Sequence, residues 1–505
     1  MKSISLERGV IALLLAVFFG LCAAVAASAL TGGPAPLALL ALAAAVACAP
    51  AIAQRLPRQF DGARATRPLL SALWLLLALA ALARFAGLAL FMADPTRPEA
   101  SALWFDPFYV NHSCFSGYWK AAQLLAAGAP NIYDGAHYAE SVGRFKLDEF
   151  LYPPQFLLLP RAAAALGADF QQMRAVWFAI DAALLAGVML ALAGWIGGQA
   201  GRRGALLLPA VWLALPTLIT LQTGNFQLAA LALSVWAMMQ FERGRHAAGG
   251  ALLSVAIFKI FPGILCAWLL FTRRWLALAW TVAFTLLYAG VALLVFGARP
   301  FHDFAVFELP RIASGELWAW LEIPQLAGVV AINNSIPGLV LKLRVLGFDG
   351  MGYQRMATVA WVWSLALIGI TLLAARRSGA LPRMQQAAVW ISLLGLAALR
   401  SPFVPDDYGL FPALWLWALV AAGLATTLRR TVMLAVLWLA LALVMPWAMA
   451  EPAQIAPLLA VSSASQAAAI AFWMWALLRR PAAPALSGAG AHPTHAGARA
   501  GAAVH

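Results

Sequence analysis

Charge is what this chain has least of. Only 11% of its 505 residues are Asp, Glu, Lys or Arg, against about 25% in soluble globular domains. With a mean hydropathy of +0.83, that deficit excludes an ordinary soluble fold. Cysteine is scarce too. Of the four present, Cys22, Cys48 and Cys266 lie inside apolar runs and Cys114 stands outside them, so there is no disulfide framework. The apolar runs also lack the alternation of barrel strands, which leaves helices as the spanning element. No histidine–cysteine cluster at ligand spacing occurs. No cofactor is firmly implied and no tightly bound metal is called for, though a loosely held divalent ion stays open.

What is present is a series of apolar runs of about twenty residues, each able to cross a ~30 Å hydrocarbon core as a helix. The net charge of +14 sits in short clusters between these runs, as in cytoplasmic membrane loops, and needs no nucleic-acid partner. The clusters are Arg55/Arg58/Arg64/Arg67, Arg202-Arg203, Arg243/Arg245, Arg273-Arg274, Arg376-Arg377, Arg429-Arg430 and Arg479-Arg480. Placing all of them on the cytoplasmic side gives helices near 9–31, 36–53, 69–92, 173–195, 204–221 and 225–241. Further helices follow at 275–296, 354–375, 386–399, 408–425, 431–450 and 455–478. The first is expected to be an uncleaved helix rather than a signal peptide. The proline-broken stretch Phe150 to Leu166 is expected not to cross, and an external segment 297–353 carries a short apolar piece near 336–346.

The stretch 247–272 tests this scheme. As one helix it places Lys259 at mid-membrane, at a cost of about 2.5–3.5 kcal/mol, and separates two arginine clusters. As two half-helices breaking at Lys259–Pro262 it returns both clusters to the cytoplasm. Each half then spans only about 18 Å, which is tolerable where neighbours shield it. The hairpin, with Lys259 at its outer tip, completes about fourteen helices (range 11–14). Both termini are then cytoplasmic, and the tail 481–505, rich in Ala, Gly, Pro and His, is expected to be disordered.

Against this background one stretch differs. Between Asp94 and Pro154 lie seven of the chain's twenty carboxylates: Asp94, Glu99, Asp106, Asp134, Glu140, Asp148 and Glu149. The topology makes this a large first extracytoplasmic loop, 93–152, and His112 and His137 lie in it. Residues 116–128 are expected as an amphipathic helix with Tyr118, Ala122, Leu125 and Ala126 on one face. Glu140, Asp148 and Glu149 read as solvated charges. The later outer tips carry Gln222, Asn225 and Gln227, then Lys259, then Asn333-Asn334-Ser335, then Arg400 with Asp406-Asp407-Tyr408. Some polarity is ordinary for loops, but a lysine within an apolar run needs a partner or an aqueous cavity. Deeper in the membrane, Arg84 and Asp181 are placed to pair.

The order Phe115-Ser-Gly-Tyr118-Trp119, Gly128, Tyr133-Asp134 and Tyr152-Pro153-Pro154 resembles the opening of glycosyltransferase family 87, membrane enzymes of GT-C type. Gly224-Asn225 with Gln227, Lys259-Ile-Phe-Pro262, Asn334-Ser335-Ile-Pro-Gly338 and Arg400-Ser-Pro402 continue it, over about residues 69–425. The apolar runs read as an all-α polytopic fold with an N-terminal hairpin 1–68 and a C-terminal hairpin 426–480, and the resemblance implies a GT-C-like catalytic core 69–425. It implies an inverting hexosyltransferase of the cytoplasmic membrane. Such an enzyme moves one sugar, expected to be mannose, from a polyprenyl phosphate to a lipid- or glycan-linked acceptor on the outer face. The family's loop aspartate falls on Cys114 here, and a thiol, with a reference pKa of about 8.5, is a poor substitute. Asp106 is therefore the first expectation for the general base, with Asp406 and Asp407 behind it. Lys259, then Arg400 and Arg84, are expected to hold the donor phosphate. Gln222, Asn225, Gln227, Asn333, Asn334, Tyr118 and Asp134 are expected on the sugar or acceptor. The alternatives are a multi-spanning transporter or lipid flippase, whose polar groups belong on broken helices near the midplane, and a catalytically degenerate family member.

Overall fold

The computed structural model describes residues 5–31, 35–61, 68–378, 381–424, 427–442 and 451–479, without the side chains of 35, 36, 59 and 406–408. The tail 481–505, the end of the 431–450 helix, and Arg64, Arg67 and Arg480 lie outside the described residues. The protein is helical almost throughout, and a helix occurs at each of the fourteen expected places. Among the described residues, seven helices are long and apolar enough to cross a membrane: Leu6–Thr31, Leu37–Arg55, Pro68–Ala93, Phe170–Ile196, Trp275–Phe296, Tyr353–Arg377 and Pro452–Leu478. The pair Gly198–Leu213 and Leu215–Thr223, bent by 65°, makes an eighth if counted as one span. The chain is thus an all-α polytopic membrane protein.

The remaining helices are mostly interior. In Gln227–Glu242 thirteen of sixteen residues are buried, and in Arg383–Ala398 twelve of sixteen. A helix that is apolar all round has no solvent or lipid face to present and packs at the centre of a bundle. Helix Leu6–Thr31 packs on Pro68–Ala93 and Phe170–Ile196, and Pro452–Leu478 packs on Arg383–Ala398. The terminal hairpins therefore join the central body.

Arginines of several clusters gather at one end of this body. The Arg202 guanidinium lies 5.6 Å over the Phe60 ring, and Arg383 donates to the Trp195 carbonyl at 2.8 Å. Gln385 donates to the Arg479 carbonyl at 2.5 Å. Arg274 pairs with Glu242. A cavity of about 360 Å³ there is lined by Glu242, Arg273, Arg274, Ser378, Gln386 and Trp390, among others.

The segment around Lys259 is a hairpin. Along His246–Ala256 and Trp275–Phe296 the contacts step in the same direction. A Cβ on Gly250 would meet Trp280 at 2.6 Å, Ser254 accepts from Thr285 at 3.2 Å, and the Phe258 and Tyr288 rings lie 6.3 Å apart. These helices are parallel, so the chain between them must return to its starting end. Only Ile264–Phe271 is available to bring it back. Eight residues rise about 12 Å, shorter than the half-helix expected. The leg is covered by Tyr353–Arg377 and Arg383–Ala398, as a backbone reversal at membrane depth requires.

At the other end, residues 94–152 fold over the helix tips. Arg84 donates to the Ala102 carbonyl at 2.7 Å, so it serves as a loop anchor and forms no pair with Asp181. Gln222 grips the same loop twice, accepting from Ala102 N at 2.7 Å and donating to the Tyr109 carbonyl at 2.8 Å. The amphipathic helix runs Phe115–Ala126 and buries Phe115, Tyr118, Ala121 and Ala122, whereas Ala126 is exposed. The stretch expected not to cross forms a turn and the short helix Leu158–Ala165.

The hairpin has a direct test. In a variant whose native cysteines are serine, a cysteine at Arg243 or Arg273 reacts with a membrane-impermeant maleimide from one side of the membrane. A cysteine at Ile260 reacts only from the other; labelling of all three from the same side overturns the hairpin.

Candidate active site

Two close approaches set the site. Gly224 ends helix Leu215–Thr223 with φ +68°, and a Cβ there would lie 3.1 Å from the Phe115 Cβ. Glycine suits both the left-handed turn and the contact. That turn seats the loop helix against the bundle and aims Asn225 into the gap. At Gly117 a Cβ would meet the Asp148 carbonyl at 2.7 Å. Its absence lets the segment 145–148 lie against the loop helix, where Ser116 donates to the Lys146 carbonyl at 3.1 Å and accepts from Asp148 N at 2.9 Å.

Lys259 is the centre of the site. Its ammonium donates to Asn225 Oδ1 at 2.6 Å and to the Tyr152 hydroxyl at 2.9 Å, and it lies 5.3 Å from the Tyr152 ring centroid. Three segments far apart in sequence thus meet on one cation. Both of these ligands are neutral, and they orient the ammonium. Tyr152 continues to Tyr118, hydroxyl to hydroxyl, at 2.9 Å, and Phe226 N–H donates to the Tyr118 oxygen at 3.2 Å. Burial pushes both phenols above their ordinary range, so both keep their protons. Phe156, Trp177 and Phe226 pack behind them. The residue after the lysine, Ile260, has φ +62°, a backbone conformation that costs a β-branched residue about 1–3 kcal/mol.

On the far side of Asn225 its amide N–H donates to Cys114 Sγ at 3.3 Å. The sulfur lies 3.4 Å from His112 Nε2, and His112 Nδ1 lies 3.6 Å from Asp148 Oδ1. The His112 ring stacks on Phe108 with centroids 5.1 Å apart. These three side chains offer donor atoms within 4.8 Å of one another, close enough to hold a metal ion. No ligand spacing is visible in the sequence, because Asp148 lies far along the chain from the His112-x-Cys114 pair. Asp148, expected as a solvated charge, is instead half-buried in this group.

Of the site residues expected from sequence, Lys259, Asn225 and Tyr118 come together. Gln227 is buried beside them, its backbone N–H donating to Asn225 Oδ1 at 3.0 Å. Asp106 is buried and caps the short helix Pro107–Asn111 through Phe108 N at 2.9 Å, while its second oxygen has no partner. Burial raises its carboxyl against the backbone N–H groups. Asp134 is exposed and caps a turn at Ala136 N. Asn333 welds two segments, accepting from Ser335 N and Val404 N and donating to the Pro402 carbonyl. Asn334 is buried with both side-chain polar atoms unpartnered. Arg400 donates to Ser364 Oγ at 2.7 Å. Asp406 and Asp407 begin helix Asp406–Leu424, and their side chains are not among those described. Tyr152, His112 and Asp148 are the contacts that sequence reasoning left unassigned.

A second polar group locks the outer segment onto the loop. Arg311 lies 3.9 Å from Glu149, 3.4 Å from Glu308 and 3.6 Å from Glu316. Glu308 is buried at the end of a π-helical turn and its Oε1 has no partner. Burial outweighs Arg311 and pushes its carboxyl up to about 8.

A helical membrane body whose one end gathers a loop, a cation and neutral hydrogen-bonding groups is an integral membrane protein with a polar site at the bundle tip. The model of glycosyltransferase family 87 matches residues 150–402, half of the chain, and the protein belongs to that family. It is a membrane glycosyltransferase. The match contains Tyr152, Asn225 and Lys259 and begins after Asp148, so it is narrower than the resemblance at 69–425. Among curated proteins and among solved structures, nothing matches.

Two measurements bear on this geometry. Ile260→Gly removes the left-handed strain and raises the unfolding free energy by about 1 kcal/mol. It also frees the Lys259 tip, so sugar transfer falls while the thermal midpoint rises; a fall in both shows that the strain does not serve the site. The raised Glu308 carboxyl binds its proton more tightly folded than unfolded. Its contribution is therefore complete below about pH 4.5 and is lost as pH rises through about 8. Glu308→Gln flattens that decline in a pH series of unfolding midpoints, with a smaller slope left from Glu149, which burial also raises.

Proposed function

We propose that the protein transfers one sugar, by inversion, from a polyprenyl-phosphate donor to a lipid- or glycan-linked acceptor on the extracytoplasmic face of the cytoplasmic membrane, as an enzyme of GT-C type. The observation that carries this reading is the Lys259 ammonium, held by Asn225 and Tyr152 at the bundle end opposite the arginine clusters. By the positive-inside rule those clusters face the cytoplasm, which supports an extracytoplasmic site. Mannose is the sugar we favour, on family resemblance.

In this mechanism the bond from the anomeric carbon to the phosphate oxygen breaks as the acceptor hydroxyl oxygen attacks. The developing negative charge on the phosphate falls to Lys259, held in advance by Asn225 and Tyr152, so little reorganisation is spent at the moment of reaction. Asn225 orients the lysine from one side and Tyr152 from the other. Asn334, whose buried amide has no partner among the described residues, is assigned to a polar ligand group, since such a group costs roughly 1–3 kcal/mol when left unmade. A transporter has no particular use for one cation at a bundle tip, and family membership favours transfer.

The test is transfer from radiolabelled mannosyl-phosphoryl-polyprenol, and from its glucosyl counterpart, by purified full-length protein. Lys259→Met lowers kcat by roughly 10²–10³-fold without a comparable fall in thermal midpoint. Full activity in that variant sinks the phosphate assignment, and a wild type inactive on every donor supports a degenerate member.

A further inference from the structure

Glycosyl transfer needs an acceptor for the hydroxyl proton. The Lys259 ammonium and the described groups that hold it, an amide and a phenol that keeps its proton, are not bases at neutral pH. Past Asn225 the structure sets a thiol, an imidazole and a carboxylate in a row. Cys114 Sγ lies 3.4 Å from His112 Nε2, and His112 Nδ1 lies 3.6 Å from Asp148 Oδ1. We propose that Cys114, His112 and Asp148 form a proton relay that serves as the general base for the acceptor hydroxyl. The inference rests on the glycosyl-transfer reading and names the group which that reading leaves open.

Each member is fixed by something else. Asn225, the residue that holds Lys259, also donates to the sulfur at 3.3 Å, so proton acceptor and phosphate site share one amide. Phe108 stacks on the imidazole. Ser116 holds the Asp148 backbone, and Gly117 makes room for it. The order of contacts assigns the roles, since the carboxylate faces Nδ1 and selects the tautomer whose Nε2 can accept from sulfur. A thiol alone is a weak base, and an adjoining imidazole is the usual remedy.

In the step, the acceptor oxygen bonds to the anomeric carbon and its proton passes to Sγ, while the thiol proton passes to Nε2. The bond from the anomeric carbon to the phosphate oxygen breaks, and its electron pair leaves on the phosphate. The products are the new glycoside, a polyprenyl phosphate against Lys259 and an imidazolium against Asp148. His112 keeps 23% of its side-chain surface exposed, so it can return the proton to water between turnovers. Asp148 is a positioning residue.

The experiment uses full-length protein in nanodiscs, radiolabelled mannosyl-phosphoryl-polyprenol and a membrane lipid extract as acceptor. His112→Gln lowers kcat by roughly 10²–10⁴-fold with little change in KM, and Asp148→Asn lowers it about tenfold. Cys114→Asp introduced into His112→Gln restores most of the rate, because a carboxylate at 114 takes the proton without the imidazole. A merely structural His112 is not rescued in this way. Full activity of His112→Gln, or no rescue, overturns the relay. So does a product with retained anomeric configuration, which makes Cys114 a nucleophile, or loss on chelation with recovery on added zinc, which makes the three groups ligands. A readout free of turnover uses Cys22, Cys48 and Cys266 replaced by serine. At pH 7, methyl methanethiosulfonate modifies Cys114 about tenfold faster in that background than in the same background carrying His112→Gln; equal rates overturn the pairing. A tenfold difference in a wild type that turns over no donor overturns the transfer reading and the relay's place in it, while the pairing stands.

Discussion

A charge that no apolar segment can carry alone organises this protein. Lys259 lies between two runs of aliphatic and aromatic residues, and an ammonium there is tolerable only with oxygen ligands at hand. Those ligands come from the end of the first loop and from the turn after Gly224. Once they are required, much of the architecture follows. The segment must double back so that the lysine reaches a bundle end, the loop must fold inward far enough to deliver Tyr152, and the turn at 224 must be tight enough to aim Asn225. The aromatic packing behind the two tyrosines and the two anchors from Gln222 make that meeting stable.

Most of the architecture is legible in the sequence, because hydropathy and arginine placement are strong signals in a chain with so few charges. The hairpin at Lys259 is the clearest instance. It follows from the need to keep Arg243 and Arg273 on one side, and the parallel stepping of Gly250, Ser254 and Phe258 along Trp280, Thr285 and Tyr288 requires it. Environment is less legible. A run's apolarity does not reveal whether it faces lipid or its own neighbours, so a helix such as Gln227–Glu242 reads as one more apolar run and lies buried among the others.

The site is legible in part, and the missing part has a physical reason. Lys259 and Asn225 stand out because each is unusual where it sits. His112 and Asp148 are ordinary residues in a polar loop, and what distinguishes them is a fold-back made possible by Gly117 and Ser116, which no local pattern announces. Conversely, Gln222 and Asn333 look like ligand-binding groups because they are polar residues at helix tips, and Arg84 because it is a charge within an apolar helix. Their hydrogen bonds go to backbone carbonyls and amides of the loop segments. Polar tips serve to hold irregular backbone as well as substrate, and sequence alone does not separate the two uses.

The approach of Gly224 to Phe115 has a consequence for how such a protein can change over time. The turn that aims Asn225 and the residue that follows Cys114 lie within one side-chain atom of each other, although one belongs to the bundle and the other to the loop. Neither can drift freely. A larger residue at 224 moves the loop helix, and a shift of that helix carries both the thiol and the amide away from the lysine. Loop and bundle tip are therefore a single heritable unit, and a loop transplanted from a relative would have to bring residues 222–225 along with it.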